Sequence, residues 1–419
     1  MCYGVDYYPE HWPEERWDTE EAELMIDLDK FFDAATSARL NLRLAEVMSD
    51  IRTYGIRLHK DRRVLTGYAY GEFYDWDLYF ENIFLTYYGI SAYNRNGVEM
   101  FLDQQLECGF VARTMGVSCL RPRHHFKPFL AQIALLGSRQ TGDYRWLLGK
   151  YYDRLKKYLD YWFWFCDFDK NGLCVWDGAD HSGMDNQARR CGQDVMTVEG
   201  VDLNCYLVRE LWAMAEIAVE TGRTEEAEGF RRHAEKLADL INTVFWDETD
   251  GFYYDRDERR QEPVKIKSIA GLIPLWLGIV PEDRAKRLVK EHILNPEEFW
   301  LPYPVASWAR NEPDYYQERR GGECTWMGAT WIPTNYMVFH GLMKYGYKDA
   351  ARELADKTFR MVLEEAATRE YYNGETGSGQ GLNPFWGWST LAYLMPAEYQ
   401  LGYDPTDVGL RDFCTLKQA

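Results

Sequence analysis

The chain of 419 residues has no long hydrophobic run. Its longest apolar stretch, Ile269 to Val280, contains a proline and is too short to span a bilayer. There is no excess of basic charge. Lys and Arg number 48 against 67 Asp and Glu, and the net charge of -19 argues against nucleic acid or an anionic membrane surface as a partner. The nine cysteines include no Cys-x-x-Cys pair, and an odd, scattered set reads as reduced thiols rather than a disulfide framework. Residues 1–20 show no cationic start followed by an apolar run, so no secretory signal is expected and a cytoplasmic location is. Histidine is sparse: eight residues are dispersed, and the adjacent His124 and His125 cannot readily share one ion. Asp167-x-Asp169-x-Asn171-Gly172 opens like a calcium loop, but Gly178 stands where the closing Glu belongs, so an Asp/Asn/Gly turn is the better reading. The glycines between Gly374 and Gly381 are not followed by Gly-Lys-Ser/Thr and form no phosphate loop. No metal and no cofactor are expected.

What the chain has in abundance is aromatic: 20 Phe, 16 Trp and 30 Tyr, 16% of all residues. Most must serve helix packing, yet sixteen tryptophans leave enough for several to line a sugar pocket. The periodicity is helical almost throughout. Leu203, Leu207, Leu211, Met214 and Ala218 form one stripe. Ala227, Phe230, Ala234, Leu237, Ile241 and Val244 form the next. Thr224 is placed to cap the second helix, and Thr221-Gly222-Arg223 to turn the pair into a hairpin. The same reading predicts helices near 22–48, 78–92, 96–114, 126–139, 143–166, 199–221, 224–244, 265–278, 281–293, 328–345, 348–365 and 387–397. Pro281 suits a helix start and Gly346 a hairpin turn. Twelve helices in six hairpins, without strand–helix alternation, can close into a toroid of inner helices ringed by outer ones. No low-complexity linker divides residues 26–419, so one domain is expected there. The aromatic, Gly- and Asp-rich segments 66–77, 168–198, 294–327 and 367–386 are long enough to be functional loops.

Two of these loops hold paired carboxylates. Trp176 to Arg189 includes Asp177, Asp180 and Asp185; Glu370 to Gly381 includes Glu375. Alone, the first is most simply a polar turn and the second a glycine-rich connection. Together, amid Trp and Tyr, they offer what glycosidic cleavage needs: an acid for the leaving oxygen and a carboxylate that activates water or attacks carbon.

The motifs also carry a resemblance. Ser182-Gly183-Met184-Asp185-Asn186, with Arg189 four places after the Asp, resembles the acid loop of glycoside hydrolase family 63 and of the related family 37 trehalases. Glu370-Tyr371-Tyr372-Asn373, then Glu375-Thr376-Gly377 and Trp388, resembles their base loop. Glu72-x-Tyr74-x-Trp76-Asp77-x-Tyr79-Phe80 is similar to a trehalase motif, and Trp326-x-Gly328-x-x-Trp331 to the family 63 Trp-Arg-Gly-Pro-x-Trp motif. The four blocks follow the family order across about residues 66–396. The resemblance implies an all-α (α/α)6 toroid with long rim loops and an exo-acting, inverting hydrolase of an α-glucoside or related α-glycoside. Asp185 would be the general acid and Glu370 the general base, with Glu375 the rival. Tyr74, Trp76, Asp77, Trp176, Arg189, Trp326, Trp331 and Trp388 would hold the sugar. The partner is then a disaccharide or short oligosaccharide, with oligomeric state open.

The chain departs from that pattern in places. Met327 stands where family 63 usually has Arg, and Asp180-His181 where bacterial members often have Trp-Glu. Leu120 to Pro128, with Arg123 and Lys127, only loosely resembles the family's Gln-Pro-Pro loop. Tyr3 to Trp17 resembles the opening of family 42 β-galactosidases, which are TIM barrels, so residues 1–25 read as an appended segment. Two other functions fit an αα-toroid: a sugar isomerase or epimerase, which typically moves protons with histidines, and a carbohydrate-binding protein without catalysis.

Overall fold

The computed structural model describes residues 23–68, 72–116, 124–176, 181–187, 197–321 and 324–409. The segment expected at 1–25 lies almost wholly outside them, as does Arg189. Twelve α-helices occur among the described residues. They alternate along the chain between an outer and an inner layer. The outer ones are α1 (Ala34–Asp50), α3 (Ala92–Leu102), α5 (Lys150–Phe165), α7 (Thr224–Leu240), α9 (Glu282–Arg287, continued by a π-turn to Ile293) and α11 (Lys348–Glu364). The inner ones are α2 (Asp75–Thr86), α4 (Leu130–Thr141), α6 (Val201–Glu220), α8 (Pro274–Leu277, after a 3-10 turn Ile269–Leu272), α10 (Ile332–Lys344) and α12 (Met395–Leu401, after a 3-10 turn Trp388–Tyr393). Each inner element packs on the next, and Trp388–Tyr393 packs back on α2, so the inner layer closes into a ring of six. This is the (α/α)6 toroid.

Burial follows from that layering. Inner α2 is covered on both sides and all its residues are buried, whereas outer α7 buries only Ala227, Ala234 and Leu237. The amphipathic stripe is therefore sharp on outer helices and blurred on inner ones. Glu398 of α12 fastens the closure: Tyr87 and Tyr336, at the end of α2 and in α10, both donate to its carboxylate.

Several helix ends differ from the periodicity. The first helix starts at Ala34 rather than 22, because the Asp33 carboxylate accepts from the Ala35 and Thr36 amides and caps it there. The helix expected to run to 114 stops at Leu102, and at Gly109 (φ +100°) the chain turns so tightly against the Lys157 carbonyl that a Cβ would lie 2.3 Å from it. Thr224 makes no cap bond and is the first helical residue after Arg223. Gly346, at φ +74°, does turn the α10–α11 hairpin. Small antiparallel hairpins, such as Ile56–His59 with Arg62–Leu65, fill the loops.

Every inner-to-outer connection is short and every outer-to-inner connection is long. The long loops therefore emerge at one rim, where the inner helices begin. They are knitted together there. Tyr68 bridges to Phe385, and Thr330 bridges to both Ala306 and Tyr372. No helix among the described residues is long and apolar enough to cross a membrane.

Candidate active site

Four tryptophans meet at this rim, Trp76 from the first turn of α2, Trp326 and Trp331 from the loop before α10, and Trp388 from the turn before α12. Trp326 and Trp331 stack with centroids 3.8 Å apart and planes within 7°. Trp331 stacks in turn on Tyr371 at 4.4 Å. Trp76 lies 5.8 Å from Trp326 and 6.0 Å from Trp388, and Trp388 lies 5.9 Å from Trp331. All four rings are buried, so they form a firm wall. Their N–H groups hold the loops. Trp331 Nε1 donates to the Thr325 carbonyl at 2.9 Å, and Trp388 Nε1 to the Glu370 carbonyl at 2.8 Å. The second bond ties the loop that carries Glu370 directly to the wall.

Glu370 precedes the short strand Tyr371–Tyr372, which pairs with Gly379–Gln380. Its carboxylate folds over the hairpin, and Oε2 accepts from the Leu382 amide at 2.9 Å. Gly381, at φ +73°, leaves room for it, since a Cβ there would lie 2.4 Å from Oε2. Burial pushes the Glu370 pKa up to about 6, against the lowering effect of the Leu382 amide and the Arg319 charge; the Asp185 carboxylate pushes it further up. The two sequence-predicted catalytic carboxylates are therefore within electrostatic reach of each other. Glu375 is exposed instead, accepting from the Tyr315 hydroxyl at 3.0 Å with Arg310 Nε 3.7 Å away.

Asp185 is exposed, but the residues after it are pinned. Asn186 donates to the Tyr316 hydroxyl (2.8 Å) and the Cys324 carbonyl (2.6 Å) and accepts from the Trp326 amide (2.9 Å). Gln187 donates to the Ser307 and Trp326 carbonyls at 3.0 and 3.1 Å. The loop that carries Asp185 is thus fastened to the Trp326 loop.

Behind the wall, at the N-terminus of α2, lies a buried charge cluster. Lys127 Nζ sits 2.7 Å from Asp75 Oδ1, both side chains fully buried, and the ammonium lies 5.1 Å from the Trp76 ring centre. Asp77 is pushed up to about 7 by burial, with Lys127 and Arg113 pulling down and the Glu370 charge pushing up. Its Oδ1 is buried and has no hydrogen-bond partner among the described residues.

Of the other predicted sugar contacts, Tyr74, just before α2, stays beside the wall: it meets Tyr68 edge-on at 5.9 Å, and the Tyr68 ring lies 6.4 Å from that of Trp388. Trp176 lies apart from the four-tryptophan group: its Nε1 donates to Asp202 (3.1 Å) and its ring packs on Trp162 and His181. Met327 is buried, and its carbonyl accepts from the Tyr316 amide at 2.8 Å. Asn171 accepts from the Leu173 amide and donates to Asp169 and Glu199, closing the Asp/Asn turn upon itself. Arg319, Asn186 and Gln187 were not singled out as site residues by sequence. Arg319 lies in a charged run with no motif to mark it; Asn186 and Gln187 carried a signal only as neighbours of Asp185.

The helical toroid, with a cluster of four tryptophans at its rim and two carboxylates within electrostatic reach of each other, is the architecture of a class of glycoside hydrolases. The profile of the mannosylglycerate hydrolase MGH1-like glycoside hydrolase domain matches residues 73–389, and the chain belongs to that family. It is 30% identical to a mannosylglycerate hydrolase of Rubrobacter radiotolerans over 47% of this chain and 43% of the relative. It is 34% identical to one of Thermus thermophilus over 36% of this chain and 34% of the relative. These matches span less than half the length of either relative. Among solved structures, a GH63 mannosylglycerate hydrolase of Thermus thermophilus in complex with Tris and D-glycerate superposes with TM-score 0.69 at 20% identity, covering 85% of this chain and 99% of that one. The neutral trehalase Nth1 of Saccharomyces cerevisiae superposes with TM-score 0.61 at 16% identity, covering 90% and 88%. At such identities the likeness carries the fold.

Proposed function

We propose that residues 26–419 form one catalytic domain that hydrolyses an α-glucoside or related α-glycoside from its non-reducing end, with inversion. Asp185 protonates the leaving oxygen and Glu370 activates the water. The observation that carries this reading is Glu370 itself: a half-buried carboxyl, tied to the wall through Trp388 and raised to about 6 by burial and, to a lesser extent, by the charge of Asp185. A base near that value is ionised at neutral pH yet still takes a proton readily. Trehalose, glucosylglycerate, mannosylglycerate and short α-gluco-oligosaccharides are the candidate substrates, and the related mannosylglycerate hydrolases put mannosylglycerate first among them. An isomerase or epimerase would release no second sugar or aglycone.

A panel of these compounds, scored for free glucose, mannose and galactose, identifies the substrate. Inversion requires a water between base and anomeric carbon, which sets the carboxyl groups ~6.5–9.5 Å apart. The first sugar released from the α-glycoside is then the β-anomer, read from anomeric proton signals before mutarotation. Initial release of the α-anomer overturns the scheme.

The pH profile follows from the raised Glu370. A base must be ionised, so kcat/KM falls tenfold per unit as pH drops below about 6. An acid limb near 4, where an ordinary Glu titrates, removes Glu370 from the role. The same raised value favours a second reading with exchanged roles, since a proton donor must keep its proton near neutral pH. In that case the limb near 6 appears on the alkaline side.

A further inference from the structure

We propose that His181 is a positioning residue that holds Asp185 in register by docking the acid loop onto the segment 124–127. The proposal rests on the assignment of Asp185 as general acid. The His181 ring is wholly buried in a slot with three walls. It stacks on His124 at 4.9 Å with planes within 13°, and on Trp162 at 5.3 Å within 16°. Trp176 closes the edge at 5.0 Å. Nε2 donates to the backbone carbonyl of His125. The carbonyl can only accept, so the bond requires the Nε2–H form.

The slot is itself fixed. The Val111 amide donates to His125 Nδ1 at 3.0 Å, and His125 Nε2 donates to the Tyr158 carbonyl at 3.1 Å. Two residues on, the loop touches the same segment again. Gly183 takes φ +80° so close to its neighbours that a Cβ would lie 2.8 Å from the Trp76 ring and 3.1 Å from Lys127 Cε. Lys127 is anchored in turn by its backbone amide (3.1 Å) and ammonium (2.7 Å) to Asp75. The loop is therefore held at 181 and 183 on one side of Asp185 and at 186 and 187 on the other. An exposed carboxylate between two clamps has little freedom to drift from the scissile oxygen.

The sequence gives this arrangement its particular sense. His181 stands where the chain departs from the bacterial family 63 pattern, and 124–127 falls in the stretch that only loosely follows the Gln-Pro-Pro loop. The two departures meet in one contact. A carboxylate at 181 would be buried between two flat rings; an imidazole fills the slot and still donates its N–H.

The test compares two substrates of the same sugar, the unactivated α-glycoside found in the panel and its 2,4-dinitrophenyl α-glycoside, whose leaving group needs almost no protonation. A small displacement of a reacting group costs on the order of 10²-fold. His181→Ala should lower kcat on the unactivated glycoside by about that factor with KM nearly unchanged, and barely slow the dinitrophenyl substrate. His181→Gln, which keeps an N–H near Nε2, should recover most of the loss. His181→Phe, which keeps the stack without the N–H, should recover less and serves if the Ala variant does not fold. Equal losses on both substrates, or no difference between Gln and Phe, overturn the proposal. Asp185→Asn is the control. If it shows the leaving-group gap and the His181 variants do not, only the positioning role fails. If it shows none, the acid assignment fails and this inference with it.

Discussion

Asp185→Asn is expected to leave a folded protein that hydrolyses its unactivated α-glycoside ~10²–10⁴-fold more slowly, the usual worth of a positioned general acid. The fold has little stake in this carboxylate, which is exposed while Asn186 and Gln187 carry the loop's hydrogen bonds to the Trp326 segment. Circular dichroism and the thermal midpoint should therefore match the parent. Measuring kcat/KM on the unactivated and dinitrophenyl glycosides separates the proton donor from a mere binding group, because only the former is dispensable when the leaving group is acidic. Undiminished hydrolysis of the unactivated glycoside would remove Asp185 from the mechanism.

Glu370→Gln should lose a comparable factor on both kinds of substrate, since water must be activated whatever group departs. Added azide, a nucleophile that needs no deprotonation, should restore turnover and yield the β-glycosyl azide. A loss confined to poor leaving groups, with no rescue by azide, would assign Glu370 as the acid. The stability effect has a definite sign. Burial raises the Glu370 pKa to about 6, so the folded state prefers the protonated form, and the stability this confers is lost as pH rises through that value. At pH 7 the neutral Gln should melt no lower than the parent. Glu375→Gln should leave chemistry intact, its carboxylate being engaged with Tyr315 and Arg310.

The toroid was legible because outer helices bury one stripe: Ala227, Ala234 and Leu237 are the buried residues of α7, at the spacing their sequence shows. Ends were less so. Asp33 caps α1 with a side chain that periodicity does not weigh, and the stop after Leu102 depends on how closely Gly109 approaches Lys157, a tertiary fact. In the site, Trp76, Trp326, Trp331 and Trp388 could be gathered from their motifs, and they do meet. Trp176 came from the same kind of reading, yet the adjacent His181 and Asp202 draw it into a separate cluster. Nothing in the spacing of Arg319 foretells that its charge reaches Glu370, because that depends on how the 294–331 loop crosses the rim.

The ring closure has a consequence for synthesis. Trp388–Tyr393 and α12 complete the wall against α2, which is made some three hundred residues earlier, and Glu398 joins Tyr87 to Tyr336 across that gap. Contacts of such sequence separation raise the contact order and slow folding. A nascent chain that ends just before Trp388 would already contain Asp185 and Glu370 but would lack the indole that ties Glu370 to the wall. Until the ribosome has passed Tyr393, the side of α2 that Trp388–Tyr393 covers in the finished protein stays open to chaperones and to its neighbours.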